Sequence, residues 1–154
     1  MIKNPYLKPI LAFLMLISIE TFAQSEEEAV KQTVMNLFQG MKTSDTSLLR
    51  SAFSPSAIMQ TVVKNKEGKV VIHSEPVDSF VAFIAKPHKE VYDERISFSI
   101  VKIDGELAIA WTPYHFYLDD KFLHCGVNSF QLVKLNGSWK IQYIIDTRRR
   151  QGCE

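Results

Sequence analysis

The 154-residue chain contains no GxGxxG turn, no GxxxxGK[ST] loop, no HExxH and no GxSxG. Nucleotide-driven, zincin and serine-hydrolase chemistries therefore have no motif to rest on. Charge of one sign is also lacking, with 18 Lys and Arg against 17 Asp and Glu. That balance gives no electrostatic reason to expect nucleic acid or an anionic membrane as partner. The one dense basic stretch, Arg148-Arg149-Arg150, reads as a solvated end. Cysteine is scarce: Cys125 and Cys153 are the two present, with no CxxC or HxxxH spacing that would argue for a metal site. No cofactor is called for.

What is there begins with a leader-like segment. Lys3 and Lys8 form a positive start, a ten-residue apolar run spans Ile10 to Ile19, and Thr21-Phe22-Ala23 supplies small residues at −3 and −1 of a cleavage site. The alternative, a membrane anchor, needs ~20 apolar residues. The expectation is thus a signal peptide over 1–23 and a single mature domain over 24–154, periplasmic or extracellular, with no membrane association after cleavage. Cleavage removes two lysines and one glutamate, which leaves the mature chain formally neutral.

Ser25-Glu26-Glu27-Glu28 has capping-box spacing. Ala29, Val30, Thr33, Val34, Leu37, Phe38 and Met41 then repeat at three and four, which predicts an amphipathic helix. A second helix is predicted over Thr46 to about Phe53, and a third from Pro76 that buries Val77, Phe80, Val81 and Ile84. Between them, Ile58 to Val63 and Lys69 to His73 flank Asn65-Lys66-Glu67-Gly68 as a hairpin.

From Arg95 onward the apolar period changes to two, and turns at Asp104-Gly105, Asp119-Asp120 and Asn136-Gly137 divide the rest into four strands. Two-residue loops there pair Leu132 with Ile141, Phe130 with Tyr143 and Asn128 with Ile145. They also pair Phe130 with Ile109, Asn128 with Trp111, His124 with His115, Ile109 with Ile100, and Trp111 with Phe98. One face then collects the apolar residues together with Trp111, His115, Tyr117, His124, Asn128 and Tyr143, while Ser99, Ser129, Gln131, Lys140 and Gln142 take the wetter face. The expected fold is α+β: three helices packed on a strongly curved antiparallel sheet, forming a cone with one internal pocket.

Polar side chains on a covered face need partners or a ligand. Trp111, His115, His124, Asn128 and Tyr143 are the candidate ligand-binding residues, for a small hydrophobic or aromatic ligand. Asp146 and Arg148 fall on the other face under strict alternation, but Pro113 and Gly126 suggest a bulge that would re-aim both; a structural ion pair is the plainer role for the two. For catalysis the candidates are His124 moving a proton, Tyr114 or Tyr143 stabilising an oxyanion, Asp146 as a base, and Arg148 holding an anionic substrate. In an oxidising compartment Cys125 and Cys153 are expected to form a disulfide. A metal site through His124, Cys125 and Cys153 is the alternative.

The order of elements over residues 26 to 149 resembles the nuclear-transport-factor-2-like, or cystatin-like cone, superfamily. Trp111-Thr112-Pro113-Tyr114, His124 to Phe130, Trp139-Lys140-Ile141, Asp146-Thr147-Arg148-Arg149 and Gly152-Cys153 look like its bacterial putative lumazine-binding branch. The resemblance implies a cone with a pocket between sheet and helices, and often a homodimer through the sheet. Members include isomerases, dehydratases and cyclases as well as non-catalytic binders and interaction modules. The isomerase pattern is not matched, since no acidic residue falls on the inward positions deduced between Phe98 and Ile145.

Overall fold

The computed structural model describes residues 26–153. The leader-like segment and the Ser25 cap lie outside the described residues. Helix α1 covers 26–43, and its stripe of Val30, Val34, Leu37, Phe38 and Met41 is buried, as the spacing requires. Its first turn is tied to the sheet by Glu26, whose carboxylate accepts from Lys134 Nζ at 2.7 Å and Trp139 Nε1 at 2.9 Å. Helix α2 (Thr46–Ser51) is capped by the Asp45 carboxylate, which accepts the Leu48 N–H at 2.9 Å. Gly40 lets the two helices touch: a Cβ there would lie 2.5 Å from the Leu49 amide nitrogen. Helix α3 (Val77–Ile84) follows Pro76, which occupies the cap position.

Among the described residues seven strands make one sheet: β1 (Phe53–Lys64), β2 (Val70–Glu75), β3 (Tyr92–Ile96), β4 (Ile100–Asp104), β5 (Leu107–Leu118), β6 (Lys121–Leu135) and β7 (Ser138–Arg149). Their order is β2-β1-β7-β6-β5-β3, with β4 also paired to β5. All pairs are antiparallel except β1 with β7. The expected α+β architecture of three helices on a curved antiparallel sheet is therefore the one observed, with the parallel pairing of β1 and β7 as a departure from it. The strand expected to begin at Arg95 begins at Tyr92 and is split into β3 and β4. Ser97 and Ser99 carry the break and still donate to the Pro113 and Trp111 carbonyls of β5.

The predicted registers hold next to the turns and fail beyond two bulges. Leu132 does face Ile141, but the ladder then slips by one residue at Gln142, so Phe130 faces Ile144 and Asn128 faces Asp146. Between β5 and β6 the slip falls at Leu123, so His124 faces Phe116, Asn128 faces Thr112 and Phe130 faces Ala110. In the first hairpin the loop is Gly105-Glu106, which pairs Ile100 with Trp111 and moves the register by two without changing the face. A one-residue slip sends every later side chain to the opposite side. Thus Ala108, Ala110, Thr112, Tyr114 and Phe116 point inward on β5, and Ile144, Asp146 and Arg148 on β7. Ile109, Trp111 and His115 point out, and Ile100, Ile109 and Trp111 are each nearly half exposed.

The core between helices and sheet is built from α1, Leu49, Phe53, Ile84, Phe130, Leu132, Trp139 and Ile141. The structure joins Cys125 to Cys153, with Cα atoms 5.8 Å apart, which folds the tail back along the end of β6.

Candidate functional site

A cavity of about 360 Å³ lies between the inner sheet face and the helices. Leu37, Phe38 and Met41 of α1 and Phe80, Phe83 and Ile84 of α3 form one wall. Met59, Tyr92, Phe116 and Ile144 of the sheet form the other. At the far ends of β6 and β7 the lining becomes polar, with Glu94, His124, Asn128, Asp146 and Arg148, and β2 adds His73 and Glu75.

The β7 bulge creates this polar end. It turns Asp146 and Arg148 inward, where Arg148 Nε donates to Asp146 at 2.9 Å and Arg148 Nη2 donates to Thr61 Oγ1 at 3.3 Å. Burial works against the Arg148 charge, but neighbouring Asp146 outweighs it and raises the Arg148 pKa. Tyr114 reaches the same carboxylate, its hydroxyl 3.2 Å from Asp146 and 2.9 Å from the Thr147 carbonyl. Burial, with Glu94 and Asp146 nearby, drives the Tyr114 phenol well above its ordinary range.

Glu94 is the residue that sequence reasoning missed. Its Oε1 accepts from Asn128 Nδ2 at 2.7 Å, and among the described residues no cation forms an ion pair with it. Burial pushes its carboxyl up to about 7, with Asp146 adding to the effect and Asn128 opposing it. The signal was the alternation Tyr92, Glu94, Ile96, Phe98, in which the acid shares the inward parity with apolar residues, four positions before Phe98, the predicted first inward site. His124 lies in the same cross-strand row, since Glu94 faces Phe116 and Phe116 faces His124. The imidazole stacks on Phe116 at 4.9 Å, and burial followed by the Arg148 charge lowers its pKa.

Of the residues singled out from the sequence, His124, Asn128, Asp146 and Arg148 line the cavity, and Tyr114 stands behind them. Trp111, His115 and Tyr143 do not: the register slips place them on the outer face, where the Tyr143 hydroxyl donates to Gln60 at 2.7 Å. Oxyanion stabilisation by Tyr143 inside the cavity is thereby ruled out on geometry. The trio His124, Cys125 and Cys153 is divided as well, because His124 faces the cavity and its chain neighbour Cys125 the other side. Among the described residues no group of three His, Cys, Asp or Glu side chains has metal-holding geometry.

Residues 25–143 match the model of the family described as "Putative lumazine-binding". No curated protein matches the chain. Solved structures do: a nuclear-transport-factor-2-like protein of unknown function from Silicibacter pomeroyi aligns with a TM-score of 0.64 and 18% identity over 82% of this chain and 98% of its own. One from Shewanella baltica aligns at 0.62 and 19%, over 82% and 96%. A domain of unknown function with a cystatin-like fold from Nostoc punctiforme aligns at 0.63 and 14%, over 83% and 80%. At these identities the structural likeness is one of fold. The family match spans most of the chain, and the chain, whose fold is nuclear-transport-factor-2-like, belongs to the putative lumazine-binding family.

Proposed function

We propose that this protein binds a small molecule with a hydrophobic or aromatic body and one polar end, in the cavity between sheet and helices. The observation that carries the reading is the lining: apolar walls around about 360 Å³, closed at one end by Glu94, His124, Asn128, Asp146 and Arg148. Binding sites combine such apolar walls with a few convergent polar groups. A thermal-shift screen tests it, because a ligand that binds the folded state raises the melting point. Asn128→Ala should abolish the shifts, and Trp111→Ala on the outer face should leave them intact. Equal losses in both variants would refute the site.

A catalytic use of the same cavity is favoured by one observation, an acid and an imidazole in one cross-strand row with Glu94 poised near neutrality. Groups titrating near the working pH transfer protons best. Solvent-deuterium incorporation into carbonyl compounds, followed by proton NMR and absent in Glu94→Gln, would establish this use; no incorporation by the native chain would dismiss it.

Export to the periplasm or beyond is part of the same proposal, supported by the leader-like residues 1–23 and by the pairing of the two cysteines. Homodimerisation through the outer sheet face is supported by the exposed Ile58, Ile100, Ile109 and Trp111. Light scattering across concentrations tests the dimer, and a strict monomer would remove it.

A further inference from the structure

We propose, building on that small-molecule reading, that the ligand is a protonated organic amine whose ammonium group takes Glu94 as its counter-ion. The first ground is a missing partner. Asp93 is held by Lys42 at 3.1 Å and Arg95 at 2.8 Å, Asp146 by Arg148 at 2.9 Å, and Glu26 by Lys134 at 2.7 Å. Glu94, at the polar end of the cavity, receives one hydrogen bond from a neutral amide. Among the described residues neither Glu94 nor Glu75, the other free carboxyl at the cavity, forms an ion pair.

The second ground is the count of charges facing the space. Glu75 comes from β2, Glu94 from β3 and Asp146 from β7, against one guanidinium, Arg148, already engaged with Asp146. Burial and Arg148 disfavour the protonated form of His124 on β6, and His73 stands on β2. Tyr114 stays a neutral phenol. With its carboxylates ionised the cavity is short of positive charge.

The third ground is the wall on which Glu94 sits. Phe83 and Tyr92 have ring centroids 5.6 Å apart, Tyr92 and Phe116 6.5 Å, and Phe116 and His124 4.9 Å. Glu94 lies on β3 two residues after Tyr92 and directly opposite Phe116. A cation lodged there meets aromatic faces as well as a carboxylate, and the two attractions add in a desolvated site.

Without a ligand the carboxyl satisfies its surroundings by holding a proton. An ammonium ion entering the site displaces that proton to solvent, so ligand charge is exchanged for proton charge and the buried charge stays balanced. Amine affinity must then rise with pH up to the Glu94 value of about 7 and level off above it. A neutral carbonyl ligand would accept a hydrogen bond from the protonated carboxyl, and its affinity would be level below about 7 and fall above it.

Titration calorimetry of the purified chain at pH 6, 7 and 8 separates these cases. The probes are phenethylamine and tryptamine, each beside the uncharged acetamide and the anionic acetate of the same ring. The amines should bind best, gain up to about tenfold per pH unit below pH 7, and lose about tenfold or more in Glu94→Gln. Glu94→Asp should keep the preference for amines. Melting curves establish that both variants fold. Tighter binding of the amides, or an amine affinity unchanged in Glu94→Gln, would overturn the amine assignment and leave the binding cavity standing. Failure of every probe, charged or not, would overturn both.

Discussion

Tyr114 lies directly over Gly126, and its hydroxyl can reach Asp146 because that position has no side chain. A Cβ on Gly126 would stand 2.8 Å from the Tyr114 hydroxyl and would collide with the Thr147 carbonyl. Gly126→Ala is therefore expected to push β7 from β6 and displace the tyrosine, at a cost of about 1–3 kcal/mol. Tyr114→Phe keeps the ring and removes the bonds to Asp146 and Thr147, at about 1–3 kcal/mol. Urea unfolding measures both, and a Gly126→Ala protein as stable as the native one would mean the strands are not packed this closely.

Stability should carry the signature of Glu94. Its pKa is raised in the folded state, so its contribution is fully present below the ordinary value of 4.5 and is lost as pH rises through about 7. The loss is on the order of 3 kcal/mol. His124 acts oppositely: its folded pKa is lowered, so its contribution is lost as pH falls below its ordinary 6.5. Glu94→Gln should abolish the alkaline loss, leave the acid-side loss, and exceed the native protein in stability at pH 8. Chemical denaturation from pH 5 to 8 gives both slopes; parallel curves for the two proteins would contradict the assignment.

The Cys125–Cys153 link closes a separation of 28 residues, for which chain-entropy reasoning gives about 3–4 kcal/mol. Thiol titration of denatured protein purified without reductant should find no free thiol. Reduction should lower the urea midpoint, and two free thiols would refute the link.

Trp111 is 46% exposed on the outer face. Trp111→Ala should change the stability of the isolated chain by about 0.5 kcal/mol or less. A loss above 3 kcal/mol, the range of core tryptophans, would restore the inward placement.

The helices were legible because burial on one side leaves a periodic mark: the residues at spacing three and four in α1 are those that are buried. The strands were legible for the same reason, and the turns located their ends. Register was legible only locally. Each bulge is a single inserted residue, Gln142 or Leu123, and neither a polar amide nor a leucine differs in composition from a regular strand residue. Pro113 and Gly126 looked like the disruption and are not: both sit in regular pairs, Pro113 with Val127 and Gly126 with Tyr114. The cavity residues His124 and Asn128 survived because two slips left β6 itself unchanged in facing, whereas Trp111, His115 and Tyr143 on the neighbouring strands were inverted. Glu94 escaped notice because its strand is five residues long and two charged neighbours, Asp93 and Arg95, conceal its alternation.

The parallel pairing of β1 with β7 also governs when this fold can exist. Met59 lies beside Ile144 and Thr61 beside Asp146, contacts that span more than eighty positions of the chain. The hairpin of β1 and β2 has no strand to dock on until residues 138–149 are free to join it. Such distant closures slow folding into the millisecond-to-second range. A nascent chain of this sequence thus carries the β1–β2 hairpin undocked until β7 has been made.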